Sequence, residues 1–157
     1  MITAIRKATR EDALRALRIR SEAILDQCAG HYSPEVLEAW ADAKLSEGFL
    51  QVVEDDFYVA TADGRIVGTG MVNLESGKVD AVFVDPGCMG RGIGKRLLGH
   101  LEGLARSEGL EQLKLDSTLN AVHFYRSIGF VGDRVSRYDS PRGVSLDCVS
   151  MVKSLVP

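Results

Sequence analysis

Three glycines alternate at Gly90, Gly92 and Gly94, and a basic pair, Lys95-Arg96, follows at once. Glycine lets the main chain approach a ligand closely and turn several N–H groups toward one point. The segment stands between an apolar run that ends at Val84 and a helical pattern that starts at Gly92. A helix N-terminus adds unsatisfied N–H groups and the positive end of its dipole. Together these make an anion site suited to a pyrophosphate. Spacing excludes two familiar phosphate loops. A P-loop needs Gly, four residues, then Gly-Lys-Ser/Thr, whereas Met89 occupies the first glycine's place and Arg96 the hydroxyl's. A dinucleotide fingerprint needs Gly-x-Gly-x-x-Gly, and from Gly90 the chain reads Gly-x-Gly-x-Gly. The competing reading is a connection that binds nothing, although glycine costs about 1 kcal/mol each inside a helix.

The elements that must position this turn follow from periodicity. Residues 2–9 read as a strand ending in a cap signal, Thr9 with Asp12, before Leu14, Leu17, Ile24 and Leu25 at helical spacing. Arg15, Arg18, Arg20 and Glu22 fall on the solvated side. Ser33-Pro34 starts a second helix, with Val36, Leu37, Trp40 and Leu45 on or near one face. Strands over 57–62, 66–74 and 79–84 follow, joined at Asp63-Gly64 and Ser76-Gly77. Ile93, Leu97, Leu98, Leu101, Leu104 and Ala105 mark a helix over 92–107, closed by Gly109. A short strand at 113–115, a helix over 120–128 and strands over 130–137 and 144–153 complete the chain. The order β-α-α-β-β-β-α-β-α-β-β gives an α/β domain over 1–157. Its sheet is mixed and mainly antiparallel, with helices on both faces.

The bulk properties fit one globular domain. The chain has 157 residues, 45% hydrophobic and 26% charged, with net charge −3. An acidic balance gives no general attraction to nucleic acid. The cluster Arg91, Lys95, Arg96 and Arg106 is better explained by a small phosphorylated ligand. Cys28, Cys88 and Cys148 are odd in number and widely spaced, so they form neither a disulfide framework nor a metal site. No apolar stretch is long enough to span a bilayer, and residues 1–7 lack a signal-peptide core. The expectation is a cytoplasmic protein with no membrane or nucleic-acid partner.

Residues 84–94 resemble the cofactor motif of the GNAT N-acetyltransferase superfamily, Val-x-Pro-x-x-Gln/Arg-Gly-x-Gly-x-Gly/Ala, with Met89 in the Gln/Arg place. Residues 119–130, Leu-Asn-Ala-Val-His-Phe-Tyr-Arg-Ser-Ile-Gly-Phe, resemble its second motif. The element order fits as well, and residues 31–41 resemble a segment of a bacterial subgroup of these enzymes.

The resemblance implies acetyl-CoA as co-substrate and direct attack of a primary amine on the thioester. Met89, Gly90, Arg91, Gly92, Ile93, Gly94 and Lys95 would hold the pyrophosphate. Val82, Phe83 and Val84 would pair with the pantetheine arm like an added strand. Asn120, or in another register Thr118, would reach that arm. Tyr125 would be the general acid. Asp80 opens the strand into the loop and is the candidate base, with Glu75, Asp116 or water as alternatives. His31, Tyr32 and Trp40 would cover the acceptor, a small-molecule amine or peptide N-terminus. The resemblance also implies a possible homodimer. An acetyl-CoA-binding regulatory domain without turnover is the alternative.

Overall fold

The computed structural model describes residues 4–140 and 143–157. Its strands are β1 (Ala4–Lys7), β2 (Phe57–Ala62), β3 (Arg65–Val72), β4 (Val79–Val84), β5 (Gln112–Ser117), β6 (Val135–Asp139) and β7 (Ser145–Ser154). Its helices are α1 (Ala13–Gln27), α2 (Pro34–Ala41), α3 (Glu47–Asp56), α4 (Ile93–Ser107) and α5 (Val122–Ser127).

The caps explain where the early helices start. The Thr9 N–H donates to the Asp12 carboxylate at 2.8 Å, one turn ahead of α1. The Ser33 hydroxyl accepts from the Val36 N–H at 3.2 Å, with Pro34 as the first residue of α2. That helix stops at Ala41, so Leu45 lies beyond it and is exposed. The sequence reading lacked α3. Ser46 caps it by accepting from the Phe49 N–H at 3.1 Å, and Val53 seats it in the core.

Strands β1-β2-β3-β4 form one sheet in that order, antiparallel throughout. Side chains of consecutive strand residues point to opposite faces. Val59 and Ile66 therefore join Ala13, Ala16 and Ile19 of α1 in one core. Their neighbours Ala60 and Val67 join Ile93 and Leu97 of α4 in another. Helices thus cover both faces, as expected, and burial on both sides makes these strands read as continuous apolar runs.

The expected single mixed sheet is instead two antiparallel sheets. The second has the order β5-β7-β6. The link between them is an isolated parallel bridge from Lys78 to Lys114, where the Lys114 N–H donates to the Gly77 carbonyl at 2.9 Å. Past that bridge β4 and β5 share no ladder, and a cleft opens between their C-terminal ends. Such a crevice is where open α/β sheets take ligands.

Two further boundaries moved. β6 starts at Val135 rather than 130, because the chain bends at Gly132 (φ 148°) to pass close to β7. A Cβ on Gly132 would lie 2.2 Å from the Ser150 carbonyl oxygen. Arg106 lies at the far end of α4 from the glycine turn and donates to the Leu155 carbonyl at 2.5 Å, so it is no part of the basic cluster.

Candidate functional site

The glycine turn is built mainly by its own backbone. Asp85 accepts from the Gly87 N–H at 2.9 Å and pairs with Arg15 of α1 at 2.6 Å. Arg15 also donates to the Ile66 carbonyl at 3.2 Å, so it anchors the loop instead of facing solvent. Burial opposes ionisation of Asp85, but the Gly87 N–H and the guanidinium outweigh it and hold the carboxyl below its usual range. Gly90 and Gly92 both adopt φ 78°, and no atom lies within 4 Å of where either would carry a Cβ. The left-handed turn, not crowding, requires glycine there. Gly92 caps α4, which starts at Ile93.

Two cavities open off the cleft. One, of about 540 Å³, is floored by the loop: Met89, Gly90, Gly92, Ile93, Gly94 and Lys95 line it, with Val82, Val84 and Phe124 opposite. Arg91 is exposed beside it. The other, of about 340 Å³, takes its walls from α1, α2, α3 and strands β4 to β7. Val82, Asn120 and Tyr125 line both and form the seam, together with Gln27 and Ala121. Phe83 faces only the smaller cavity.

Strand β4 carries a local distortion at this seam. Its register against β3 shifts between Thr69 and Met71, and Ala81 sits at φ 54°. A left-handed alanine costs about 1–2 kcal/mol, so the neighbourhood must hold it. Thr69, fully buried, donates its hydroxyl to the Ala81 carbonyl at 3.2 Å. The bulge bends β4 at the cleft, and such outliers cluster at functional sites. Nothing in the residue type Ala81 announces it.

Tyr125 and Asp80 share the smaller cavity. Burial, helped by the charge of Asp80, pushes the Tyr125 phenol up to about 12. Its ring packs edge-on between Phe124 and Phe130, with centroids at 5.2 and 5.7 Å. Asp80 lines the cavity while staying exposed at its mouth. Burial raises its pKa; Lys78 opposes this and Asp116 adds to it. Asp116 also lines the cavity but is tied to Lys78 at 2.5 Å and to the Ser150 hydroxyl at 3.0 Å. Glu75 lies outside both cavities, in the β3–β4 turn, where its N–H donates to the Asn73 side chain.

The remaining residues separate. Trp40 is 7% exposed, a core residue whose edge reaches the smaller cavity. Tyr32 accepts from the Leu119 N–H at 3.0 Å and donates to the Asp147 carbonyl at 2.6 Å, tying α1 and α2 to the second sheet. His31 lines the larger cavity, not the smaller one. Arg20 and Tyr138 line the smaller cavity and were not singled out for it by the sequence. No periodic signal marks Tyr138, and Arg20 sits on a stretch that reads as solvated.

The loop suits a CoA-like group. Open left-handed glycines, a helix N-terminus and nearby Lys95 form an anion cradle. At the seam the buried Oδ1 of Asn120 has no hydrogen-bond partner, as a group waiting for a ligand N–H would be. Thr118 lines only the smaller cavity.

Residues 28–153 match the family described as "Acetyltransferase (GNAT) domain". The chain belongs to this family. Among its sequence relatives, the peptidyl-lysine N-acetyltransferase YjaB of Salmonella typhimurium is 32% identical over 133 residues, 83% of this chain and 84% of that protein. The glucosamine 6-phosphate N-acetyltransferase of Trypanosoma brucei brucei is 34% identical over 76 residues, 43% of this chain. The aligned part spans about half (52%) of the trypanosomal protein's length. A GCN5-related N-acetyltransferase structure from Rhodopseudomonas palustris superposes with TM-score 0.88 at 30% identity, covering 97% of this chain and 95% of that one. The PaiA N-acetyltransferase of Thermoplasma acidophilum, solved with coenzyme A, has TM-score 0.76 and 26% identity over 98% of this chain and 99% of its own.

Proposed function

We propose that this chain moves the acetyl group of acetyl-CoA onto a primary amine by direct attack. One observation carries the reading: Tyr125 stands where an anion-cradling cavity meets a cavity holding the carboxylate Asp80. The bound thioester supplies an activated acetyl group. The loop N–H groups from Gly90 to Gly94 orient the pyrophosphate, and Val82 and Asn120 guide the arm toward the seam. A backbone N–H of β4 beside the bulge at Ala81 polarises the thioester carbonyl in this reading.

An alkyl ammonium with a pKa of about 10 must lose a proton before it attacks. Asp80, directly or through one water, receives it; its raised pKa makes it a better base than an ordinary carboxylate. The departing sulfur gains a proton. Tyr125 keeps its phenolic proton throughout the physiological range and is the donor. Amine and thioester become amide and thiol, with one proton released to solvent.

Met89, half exposed at the lip of the larger cavity, gives van der Waals contact where a polar residue would add a hydrogen bond. A homodimer through the second sheet belongs to the same proposal; Val131, Val135 and Val152 are exposed there, and sedimentation measures it. The test of function is thiol release from acetyl-CoA across a panel of primary amines. Release with at least one amine is expected. Tight acetyl-CoA binding with no release on any amine would leave a regulatory domain instead.

A further inference from the structure

The acceptor cavity carries a charge pattern that acetyl transfer does not by itself require. Three carboxylates line it: Asp80, Asp116 and Asp147. Asp116 is paired with Lys78 at 2.5 Å and Asp147 with Arg137 at 3.1 Å. Asp80 has no ion pair or hydrogen bond among the described residues, so it is the carboxylate left to meet an ammonium. Against these stands one cationic side chain among the described lining residues, Arg20 of α1. Its Nη2 donates to the Trp40 carbonyl in the last turn of α2 at 3.0 Å, which fixes the guanidinium in the wall. The phenol of Tyr138 lies in electrostatic reach of both ends. Burial raises its pKa, the charge of Asp80 adds to this, and Arg20 works against it. The walls between are apolar, with Ile24, Phe49 and Leu146 among them.

We propose that the acceptor is an amino acid with an apolar side chain, its ammonium at Asp80 and its carboxylate at Arg20. The proposal rests on the acetyl-transfer reading above. A planar guanidinium matches a carboxylate in charge and in its two-pronged geometry. A phosphate would bring close to two negative charges against one cation, with Asp80 facing it. A diamine would set its second ammonium against Arg20. A volume of about 340 Å³ accommodates a molecule of amino-acid size.

The experiment compares phenylalanine and leucine with their carboxamides, with phenethylamine and with glucosamine 6-phosphate. Thiol release is measured for the wild type, Arg20→Met and Arg20→Lys. Calorimetry of the CoA-saturated protein measures binding of phenylalanine and phenylalaninamide without turnover. The acids are expected to exceed their carboxamides by about tenfold to a hundredfold in kcat/KM, the range of a hydrogen bond to a charged group. Arg20→Met should collapse that acid-to-amide ratio, with Arg20→Lys between. A role limited to holding the end of α2 would lower acid and amide alike and leave the ratio standing, which overturns the proposal. So does a wild-type ratio near one, or a preference for the phosphate. The wild-type ratio alone decides the matter where a variant does not fold. If no amine is acetylated yet phenylalanine binds in an Arg20-dependent way, the transferase reading fails, the acceptor role is overturned with it, and the cavity is left as an amino-acid binding site. If amines are acetylated without acid preference, the transferase reading stands and this one fails.

Discussion

The two cavities that meet at Tyr125 are built in opposite ways. The larger one is floored by a single stretch of chain, residues 84–95, folded back on a helix end. The smaller one is assembled from side chains on ten helices and strands, from Arg20 of α1 to Cys148 of β7. A site made of backbone depends on φ and on glycine, and tolerates changes in its other residues. A site made of side chains changes its ligand with each substitution. On that physical ground we propose that the first cavity takes the co-substrate and that the second decides what is particular to this protein.

The seam tests the comparison hardest, because both cavities need it. Tyr125→Phe removes one oxygen from a packed ring and leaves the ring contacts in place. A positioned acid is worth about 10²–10⁴ in rate, so kcat should fall by at least about a hundredfold. The dissociation constant for acetyl-CoA, measured by calorimetry, should stay within about twofold. Unchanged turnover would remove Tyr125 from the chemistry and break the seam as the point of reaction.

Asp80 belongs to the smaller cavity alone. Asp80→Asn should cost up to about a hundredfold in kcat/KM at neutral pH. The base must be ionised, so wild-type kcat/KM should fall as pH drops through its raised pKa, and the variant should lack that limb. The sign for stability is opposite. A carboxyl whose folded pKa lies above its unfolded value binds more protons in the folded state, so it opposes folding at neutral pH. Asp80→Asn should therefore melt higher than the wild type at pH 7. The difference should disappear below the ordinary carboxylate range. A variant that melts lower at pH 7 would mean Asp80 makes a stabilising contact instead.

The loop is tested through its backbone. Gly92→Val places a β-branched residue at φ 78°, a strain of about 1–2 kcal/mol or more. Acetyl-CoA affinity should fall about tenfold while kcat at saturating cofactor is largely retained. A loss confined to kcat would mean that the loop acts in the chemistry rather than in binding.

The same contrast decides how much could be read from the chain. The loop was legible because its glycines, Pro86 and the helix that follows are contiguous, and only a few backbone paths accept that spacing. Helices α1, α2 and α4 were legible from caps and periodicity. The helix α3 was missed because it is short, contains Gly48 and buries one residue fully, Val53. The splitting of the sheet was missed because the separation of β4 from β5 is a tertiary arrangement, and the left-handed Ala81 beside the cleft is invisible to residue type. Arg15 and Arg20 were read as solvated because α1 is polar on that side. Tertiary neighbours instead give each a carbonyl, and Asp85 pairs with Arg15.

The support beneath the bulge offers a smaller effect, measured in stability. Thr69→Val keeps the shape of a fully buried side chain and removes the hydroxyl that the Ala81 carbonyl accepts. One buried hydrogen bond nets about 1 kcal/mol, seen as a lower denaturation midpoint at unchanged slope. If the bulge also aims an N–H at the thioester, kcat should fall with it. A stability loss without any change in kcat would separate the bulge from the reaction.

Met89 gives the smallest effect and the sharpest reading of what backbone construction means. Its side chain is 49% exposed at the mouth of the larger cavity. Met89→Arg restores a polar residue at the position where the sequence departs from the family motif. Exposed ion pairs are worth about 0.2–1 kcal/mol, so acetyl-CoA affinity should rise by no more than about fivefold, and the gain should shrink as salt is added. A much larger gain would show that the pyrophosphate is held chiefly by side chains. The natural methionine would then make this a weak cofactor site, and the contrast between a backbone-built and a side-chain-built cavity would fail. A small, salt-sensitive gain is what a loop made of N–H groups predicts, because the groups that hold the anion are present whichever residue stands at 89.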